Sequence, residues 1–284
     1  MSEAPPSRVW RQLRKHKLAL ASCVVVLAMT AVCLAAPLLA PYAFDAIDLG
    51  SIRQAPSWRH WMGTDDLGRD LFTRVLYGGR ISMAIGILSA IIGTGLGSGI
   101  GMVSGFYGGK VDNLLMRLTD VVYSIPTLPL LIVLSSYSQA VVSSMALIIG
   151  LLSWMATARV VRGEVLAIKQ MAYVEAARSL GATNLRLIVR HILPNAIGPI
   201  VVGATLAVGN AIILESSLSF LGLGVQPPTP TWGNMLMDAQ STMATKPWLT
   251  VFPGVAILLV VLSVNFMGDG LQDALDPTAR EGSA

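Results

Sequence analysis

The stretch from Val121 to Ala158 contains no charged residue, and this constrains the fold more than any other feature of the chain. A membrane has a hydrocarbon core about 30 Å thick, which a helix crosses with about 20 largely apolar residues. As one helix the stretch would be about 57 Å long, nearly twice that thickness. The polar residues 135–144 divide it, and we therefore predict two membrane spans here.

The composition of the whole chain agrees with a membrane protein. Of the 284 residues, 54% are hydrophobic and 13% are charged, and the mean hydropathy is +0.65. A soluble domain normally carries about twice that charged fraction. The basic pI of about 9.3 does not indicate nucleic-acid binding, because most Lys and Arg residues flank apolar stretches. Cys23 and Cys33 would lie about 15 Å apart on one helix, too far for a disulfide.

Apolar stretches of sufficient length predict an all-α polytopic protein with six spans. They cover residues 18–39, 81–106, two spans within 121–158, then 196–218 and 248–267. The first follows five basic residues and could also be a signal peptide. It is too long for the apolar region of such a peptide, and the sequence Ala35-Ala36-Pro37 is a poor cleavage site, so we favour a retained helix.

The distribution of basic residues predicts that both termini face the cytoplasm. Six spans place the termini on one side, and fourteen of the twenty Lys and Arg residues then lie on that side. The resulting segments are a cytoplasmic N-terminal segment (1–17), a first helix (18–40), an extracytoplasmic loop (41–80), a five-helix core (81–268) and a cytoplasmic tail (269–284). Loop 41–80 holds five arginines and five aspartates, which predicts a folded, internally ion-paired structure.

Glycines in the second span predict close helix packing. Gly93, Gly97 and Gly101 share one helical face, and Gly95 and Gly99 form a second strip of small residues. Small residues at this spacing let helices approach closely in lipid. The glycines do not form a nucleotide-binding loop, because no strand precedes them and no acidic residue follows at the required offset. A GxxxxGK[ST] motif is also absent from the sequence.

Prolines interrupt two of the predicted spans. Pro126 and Pro129 lie in the third span and Pro253 lies in the sixth. Such breaks persist where neighbouring helices or a water-filled cavity satisfy the freed carbonyl groups. Two interpretations remain open, namely a kink that serves packing and a hinge or pathway-lining position.

Carboxylates are sparse within the spans. Asp120 lies at the inner end of the third span near Arg117, and Glu215 lies near the outer end of the fifth. An ionisable residue in a span is a functional candidate, but both are close enough to the interface to reach it, which favours a structural role. An ion-coupled secondary carrier would carry deeper carboxylates and inverted repeats, and neither is visible.

The sequence contains no recognisable catalytic or metal-binding constellation. His16, His60 and His191 are scattered, and no HExxH or CxxC motif occurs. A membrane-embedded enzyme would need a clustered metal or nucleophile site. We therefore predict a protein that is not an enzyme and binds neither a metal nor a cofactor.

Residues 159–195, here called the EAA segment, interrupt the apolar spans with charged and small residues. Helix formers dominate from Arg162 to Leu180, Gly181 can adopt the left-handed conformation that ends a helix, and Thr183 can cap the next helix. That second helix runs into Pro194. We predict two short helices joined by a turn at the cytoplasmic membrane surface.

The side chains of this segment allow a docking function. Ala176 and Ala177 leave the turn slim enough to enter a groove, and Glu175 can cap or pair locally. Arg178 and Arg186 can face solvent or an acidic partner. An ordinary amphipathic segment at the membrane interface is the alternative interpretation.

The EAA segment resembles the EAA loop of ABC-importer permeases. The family pattern is matched at Glu175, Ala176, Ala177, Gly181, Leu193 and Pro194. One position departs from it, because His191 stands where the family has Ile and Ile192 follows one place later. Four further stretches resemble the second-permease type of the dipeptide/oligopeptide/nickel subfamily: 63–82, 218–236, 252–257 and 268–277. The resemblance covers most of the chain, from about residue 10 to residue 280.

This resemblance implies the fold of a type I ABC-importer permease, together with its function and partners. Such a subunit lies in the bacterial inner membrane, pairs with a homologous permease, and receives solute from an extracytoplasmic binding protein. Two cytoplasmic ATPases bind the ATP and dock on the EAA segment, including Arg178. Short peptides are the favoured solute, and nickel or another small solute is the alternative.

Overall fold

The computed structural model describes residues 16–138 and 141–275, and this part of the chain is a bundle of helices. Four helices in it are long and apolar enough to cross a membrane. Two further pairs of helices pass the same test together but are bent, by 79° and by 46°. The count reaches the six predicted spans if each bent pair is one span.

Most of the α-helices follow one another with short connections, and the longest connections precede α3 and α11. In chain order they are α1 (Lys17–Leu34), α2 (Ala36–Leu39), α3 (Leu71–Tyr107), α4 (Gly109–Tyr123), α5 (Thr127–Ser136), α6 (Val142–Leu151), α7 (Trp154–Lys169), α8 (Ala172–Ser179), α9 (Asn184–Leu187), α10 (Leu193–Phe220), α11 (Trp232–Ala239) and α12 (Trp248–Leu275). Short 3₁₀ turns cover Leu49–Ser51 and Gln240–Thr242, and a π-helical turn, Ile188–Ile192, joins α9 to α10.

Helix α3 begins ten residues before the predicted start of the second span at Ile81. Asp70 caps it, because its carboxylate accepts the Thr73 N–H at 2.8 Å. Arg74 lies in its first turn and is only 2% exposed, with its Nε 3.3 Å from the Asp65 carboxylate. Residues 71–80 of the predicted loop are therefore helical, because neighbouring acidic residues allow a charged turn to join the helix.

Helix α12 corrects two predictions about the sixth span. The helix is continuous through the buried Pro253, so the predicted break is absent. The proline lies in the second turn, where it removes a single backbone hydrogen bond. The helix also extends to Leu275, whereas the tail was predicted from residue 269. Gly270 lies against Ala19 of α1, and this contact supports the additional turns.

The two bent pairs have different local causes. Between α4 and α5 the chain turns by 79° over residues 124–126, in agreement with the break predicted at Pro126. Pro129 lies in the first turn of α5, where a proline is tolerated. The 46° bend between α6 and α7 was not predicted. There the Ser153 hydroxyl donates to the Ile149 carbonyl at 2.5 Å, a bond that competes with the helix and bends it.

The bundle is organised around α3, which packs against α6, α7 and α10. A Cβ atom added to Gly97 would lie 2.5 Å from the Trp154 carbonyl oxygen, and one added to Gly101 would lie 2.5 Å from the Ala158 carbonyl oxygen. Gly93 faces Ser153 in the same way. The glycine face thus meets the backbone of α7. No atom lies within 4 Å of a Cβ added to Gly95 or Gly99, so the second strip remains open.

Residues 41–70, here called the cap, fold over one end of the bundle as an ion-paired structure. Arg53 donates two hydrogen bonds to the Asp66 carboxylate, at 2.6 and 2.9 Å. Arg69 and Arg74 share the Asp65 carboxylate, with closest distances of 2.7 and 3.3 Å. These pairs confirm the prediction of internal ion pairs and involve three of the five arginines at this end.

Candidate functional site

The EAA segment lies at the end of the bundle opposite the cap and contains a tightly defined turn. Gly181 has φ +84°, and its N–H donates to the Arg178 carbonyl at 3.0 Å. The Ala182 N–H donates to the Ala177 carbonyl at 3.1 Å. These two bonds define a Schellman motif, in which glycine is strongly preferred at the left-handed position. The turn between α8 and α9 is therefore fixed by the backbone.

One side of the segment anchors it to the bundle. Val174, Leu187 and Ile192 are fully buried, and they form a cluster with Met102 and Phe106 at the end of α3. Leu193, at the start of α10, packs against the same cluster. Displacing α8 and α9 would break these contacts, so the two short helices move with the ends of α3, α7 and α10.

The other side of the segment is exposed and partly apolar. Leu180 is 89% exposed and Leu185 is 72% exposed, on either side of the turn. Glu175, Ala176 and Arg178 are also exposed, whereas Ala177 is half-buried. Pro194 is exposed at the start of α10. A rigid turn with two exposed leucines, a small alanine and flanking charges is suited to a groove on a protein partner.

Two ion pairs connect α4 to α7 beside this segment. Arg162 donates two hydrogen bonds to the Asp112 carboxylate, at 2.5 and 2.6 Å, and the Ser104 hydroxyl donates to the same carboxylate. Asp120 pairs with Arg159 at 2.8 Å, although Arg117 is nearer in the sequence. Sequence proximity is a poor guide here, because the pairing depends on how α4 crosses α7.

Glu215 lies in the interior of the bundle near the cap, and the prediction that it reaches the membrane interface is wrong. Its side chain is fully buried. The Ser219 hydroxyl donates to its Oε1 at 2.7 Å, and the Ser82 hydroxyl donates to its Oε2 at 3.0 Å. The Ser82 oxygen also accepts the Trp232 N–H at 3.2 Å. The carboxyl group thus ties α3, α10 and the start of α11 together.

The segment before α11 is part of the same interior. Most of residues 225–235 do not form an exposed surface, because residues 230–235 are buried. Trp232 is fully buried and donates from its indole to the Val75 carbonyl at 3.0 Å. Asn234 accepts the Thr231 N–H at 2.9 Å and closes a capping box. Only residues 226–228 of this stretch are exposed.

His16, His60 and His191 each have a structural environment. His60 is buried, 2.9 Å from the Asp70 carboxylate and stacked on Tyr42. His16 caps α1 by accepting the Ala19 N–H at 3.1 Å. His191 lies in the π-helical turn, with its ring 6.5 Å from that of Tyr173. Within residues 16–138 and 141–275, no group of three His, Cys, Asp or Glu residues is placed to hold a metal ion.

Known proteins resemble the chain over nearly its whole length. Residues 97–281 match the family described as binding-protein-dependent transport system inner membrane component, and residues 5–56 match the N-terminal TM domain of oligopeptide transport permease C. The glutathione transport system permease protein GsiD of Pectobacterium atrosepticum is 42% identical over 277 residues, covering 97% of this chain and 92% of that protein. The GsiD protein of Escherichia coli O6:K15:H31 is also 42% identical, with 97% and 91% covered.

A solved structure shares the fold. The MetNI methionine ABC transporter, in an inward-facing conformation, aligns with a TM-score of 0.56 at 21% identity, and the alignment covers 72% of this chain and 98% of that chain. The helical bundle and its EAA segment define a multi-pass membrane transport subunit with the type I permease fold. The chain belongs to the family of inner membrane components of binding-protein-dependent transport systems, the permease subunits of ABC importers.

Proposed function

We propose that this permease imports short peptides, with glutathione-like tripeptides as the first candidates. The relatives named as glutathione transport permeases support this solute, because they are 42% identical over nearly the whole chain. Glutathione is a tripeptide, and a related permease is expected to carry solutes with similar backbone donors and acceptors. The binding protein that delivers the solute would provide most of the selectivity.

The EAA segment would transmit ATP-driven movement to the bundle. The observation that carries this proposal is the exposed turn with Leu180 and Leu185, held by the Schellman motif and anchored through Val174 and Leu187. A groove on a cytoplasmic ATPase would receive the turn at Ala176. Closure of the two ATPases on ATP would then move α8 and α9 as a lever and switch the bundle between two states.

The remaining partners follow from this function. A homologous permease would complete the pathway, and two separate ATPase subunits would bind and hydrolyse ATP, so that this chain needs no cofactor of its own. An extracytoplasmic binding protein would dock at the cap end of the bundle. This arrangement places both termini and the EAA segment in the cytoplasm and the cap outside.

Deletion of the gene tests the solute. In a strain that lacks other peptide importers, we expect loss of growth on glutathione or tripeptides as a nutrient source, together with resistance to toxic tripeptide analogues. A plasmid copy of the wild-type gene should restore both phenotypes. Nickel-dependent urease or hydrogenase activity should be unchanged. Normal peptide uptake with a collapse of that enzyme activity would replace the peptide proposal with a nickel importer.

A further inference from the structure

Helix α4 is held to the rest of the described bundle mainly along one side. Its buried residues are Asp112 and Thr119. The opposite side carries Leu114, which is 72% exposed, and Val121, which is 63% exposed. At the far end the chain bends by 79° into α5. Contacts on the Asp112 side therefore have a large influence on where α4 lies.

The strongest of these contacts is the pair of Asp112 and Arg162. The guanidinium Nε lies 2.5 Å from Oδ1 and Nη2 lies 2.6 Å from Oδ2, so both carboxylate oxygens are engaged. Bidentate pairing fixes the relative orientation of the two groups as well as their distance. The carboxylate is largely shielded from solvent, with 12% side-chain exposure against 34% for Arg162. The Ser104 hydroxyl of α3 completes its coordination.

A second contact joins the same two helices nearer the end of α4. Arg159 donates to Asp120 at 2.8 Å, and its guanidinium lies 4.5 Å from the centre of the Tyr123 ring. This pair is more exposed, at 43% and 55%, and is therefore weaker. Together the two pairs connect α4 to α7 near both ends of α4.

Helix α7 continues almost directly into the EAA segment. It ends at Lys169, and α8 begins at Ala172 after two connecting residues. Lys169 donates to the Phe106 carbonyl at the end of α3, so this junction is also fixed. A displacement of α8 by a partner is thus carried into α7, which holds Asp112 through Arg162.

We propose that Arg162 and Asp112 are positioning residues that transfer movement of the EAA segment to the bent pair α4–α5. The proposal rests on the proposed function of the EAA segment. When α8 and α7 shift, the bidentate pair moves the start of α4 in the same direction. The bend at residues 124–126 lets α4 change its angle while α5 stays packed against α6. Without the Asp112–Arg162 pair, α7 and α8 would shift without moving the start of α4.

Charge exchange tests the proposal in the assembled transporter, with both permeases, both ATPases and the binding protein in lipid nanodiscs. In Arg162→Asp and Asp112→Arg, we expect basal ATP hydrolysis to persist. Stimulation by solute-loaded binding protein should fall by about tenfold, within the usual range of coupling between sites. The double exchange should restore a substantial part of the stimulation. Single variants with wild-type stimulation, or a double exchange that restores nothing, would overturn the proposal.

The Arg53–Asp66 pair provides a matched control. It is also bidentate, at 2.6 and 2.9 Å, but lies in the cap, remote from the EAA segment. Because the binding protein would dock at the cap end, its binding to the Arg53→Asp variant is measured separately, and stimulation of ATP hydrolysis at saturating binding protein should be unchanged. Equal loss of coupling in this variant would show that any broken ion pair has the effect, and would also overturn the proposal.

A distance measurement separates the positioning role of Arg162 from a purely structural one. It uses Arg162→Gln, a milder change that is suitable if the charge-exchange variants do not assemble. Spin labels at Val103 on α3 and Leu118 on α4 occupy exposed positions. In the wild-type complex, trapping with ATP and vanadate should change the distance between the labels, and Arg162→Gln should abolish that change. A retained change in Arg162→Gln overturns this inference alone. A wild-type complex in which loaded binding protein does not stimulate ATP hydrolysis overturns the proposed function.

Discussion

Gly181 determines the shape of the turn between α8 and α9 in the EAA segment. Its left-handed conformation, with φ +84°, closes α8 and directs Leu180 and Leu185 away from the bundle. The sequence predicted a helix end at this residue, and two backbone hydrogen bonds make that end a Schellman motif. No atom lies within 4 Å of a Cβ added there, so the constraint is conformational and not steric.

Replacing Gly181 with valine should therefore damage coupling without damaging insertion. A non-glycine residue in this conformation costs about 1–2 kcal/mol, and a β-branched residue costs more. We expect Gly181→Val to accumulate in the membrane normally and to lose stimulation of ATP hydrolysis by loaded binding protein. Gly203→Val is the control, because Gly203 lies within helix α10 with equally open surroundings. Full stimulation in Gly181→Val would contradict the docking role of this turn.

At the scale of elements, α3 is the helix on which the others depend. One face carries Gly93, Gly97 and Gly101 against α7, and its first turns carry the buried Arg74 beside the cap. The glycine spacing could be read from the sequence because it is local. The length of the helix could not, because its charged first turns are stabilised by Asp65 in the folded cap.

The two glycine strips of α3 provide a matched pair for measuring packing. Gly97→Leu would force a side chain into the backbone of α7, and overpacking of this kind typically costs about 1–3 kcal/mol. Gly95→Leu adds the same side chain two residues away, where no atom lies within 4 Å of the added Cβ. We expect a lower midpoint of thermal unfolding in detergent for Gly97→Leu and little change for Gly95→Leu. Equal stability of the two variants would refute the packing at Gly97.

At the scale of the whole molecule, the two ends of the bundle have different chemistry. The cap end is an ion-paired structure with Trp232 inserted beneath it, and the opposite end carries the exposed turn of the EAA segment. Basic flanking residues and an even number of spans predict that the cap end faces outward. This predicted orientation would place the proposed binding protein and the proposed ATPases on opposite sides of the membrane.

Labelling of single cysteines checks the orientation. Ser179 and Ser241 are both exposed, near the EAA turn and near α11 respectively. In a background with Cys23→Ser and Cys33→Ala, an impermeant thiol reagent added to intact cells should label Ser241→Cys and spare Ser179→Cys. Opening the cells should make both accessible. Labelling of Ser179→Cys from outside would reverse the topology.

Local patterns predicted most of the helices, the bend at Pro126 and the form of the EAA segment. Contacts between distant residues could not be predicted in the same way. Asp112 and Arg162 are 50 residues apart, and Ser82 and Glu215 are 133 apart. Their pairing depends on which helices become neighbours and at what crossing angle, and a single sequence contains no local signal for either. For the same reason the burial of Trp232 was missed.

The contacts around Glu215 affect the order in which the helices can pack during synthesis of the chain. Ser82 emerges from the ribosome early, whereas Glu215 and Trp232 follow 133 and 150 residues later. Until Glu215 and Trp232 are synthesised, the Ser82 hydroxyl and the Val75 carbonyl of α3 lack these partners. Completion of this helix packing therefore awaits synthesis of α10 and α11. A nascent chain truncated before residue 232 lacks the segment that closes this interior.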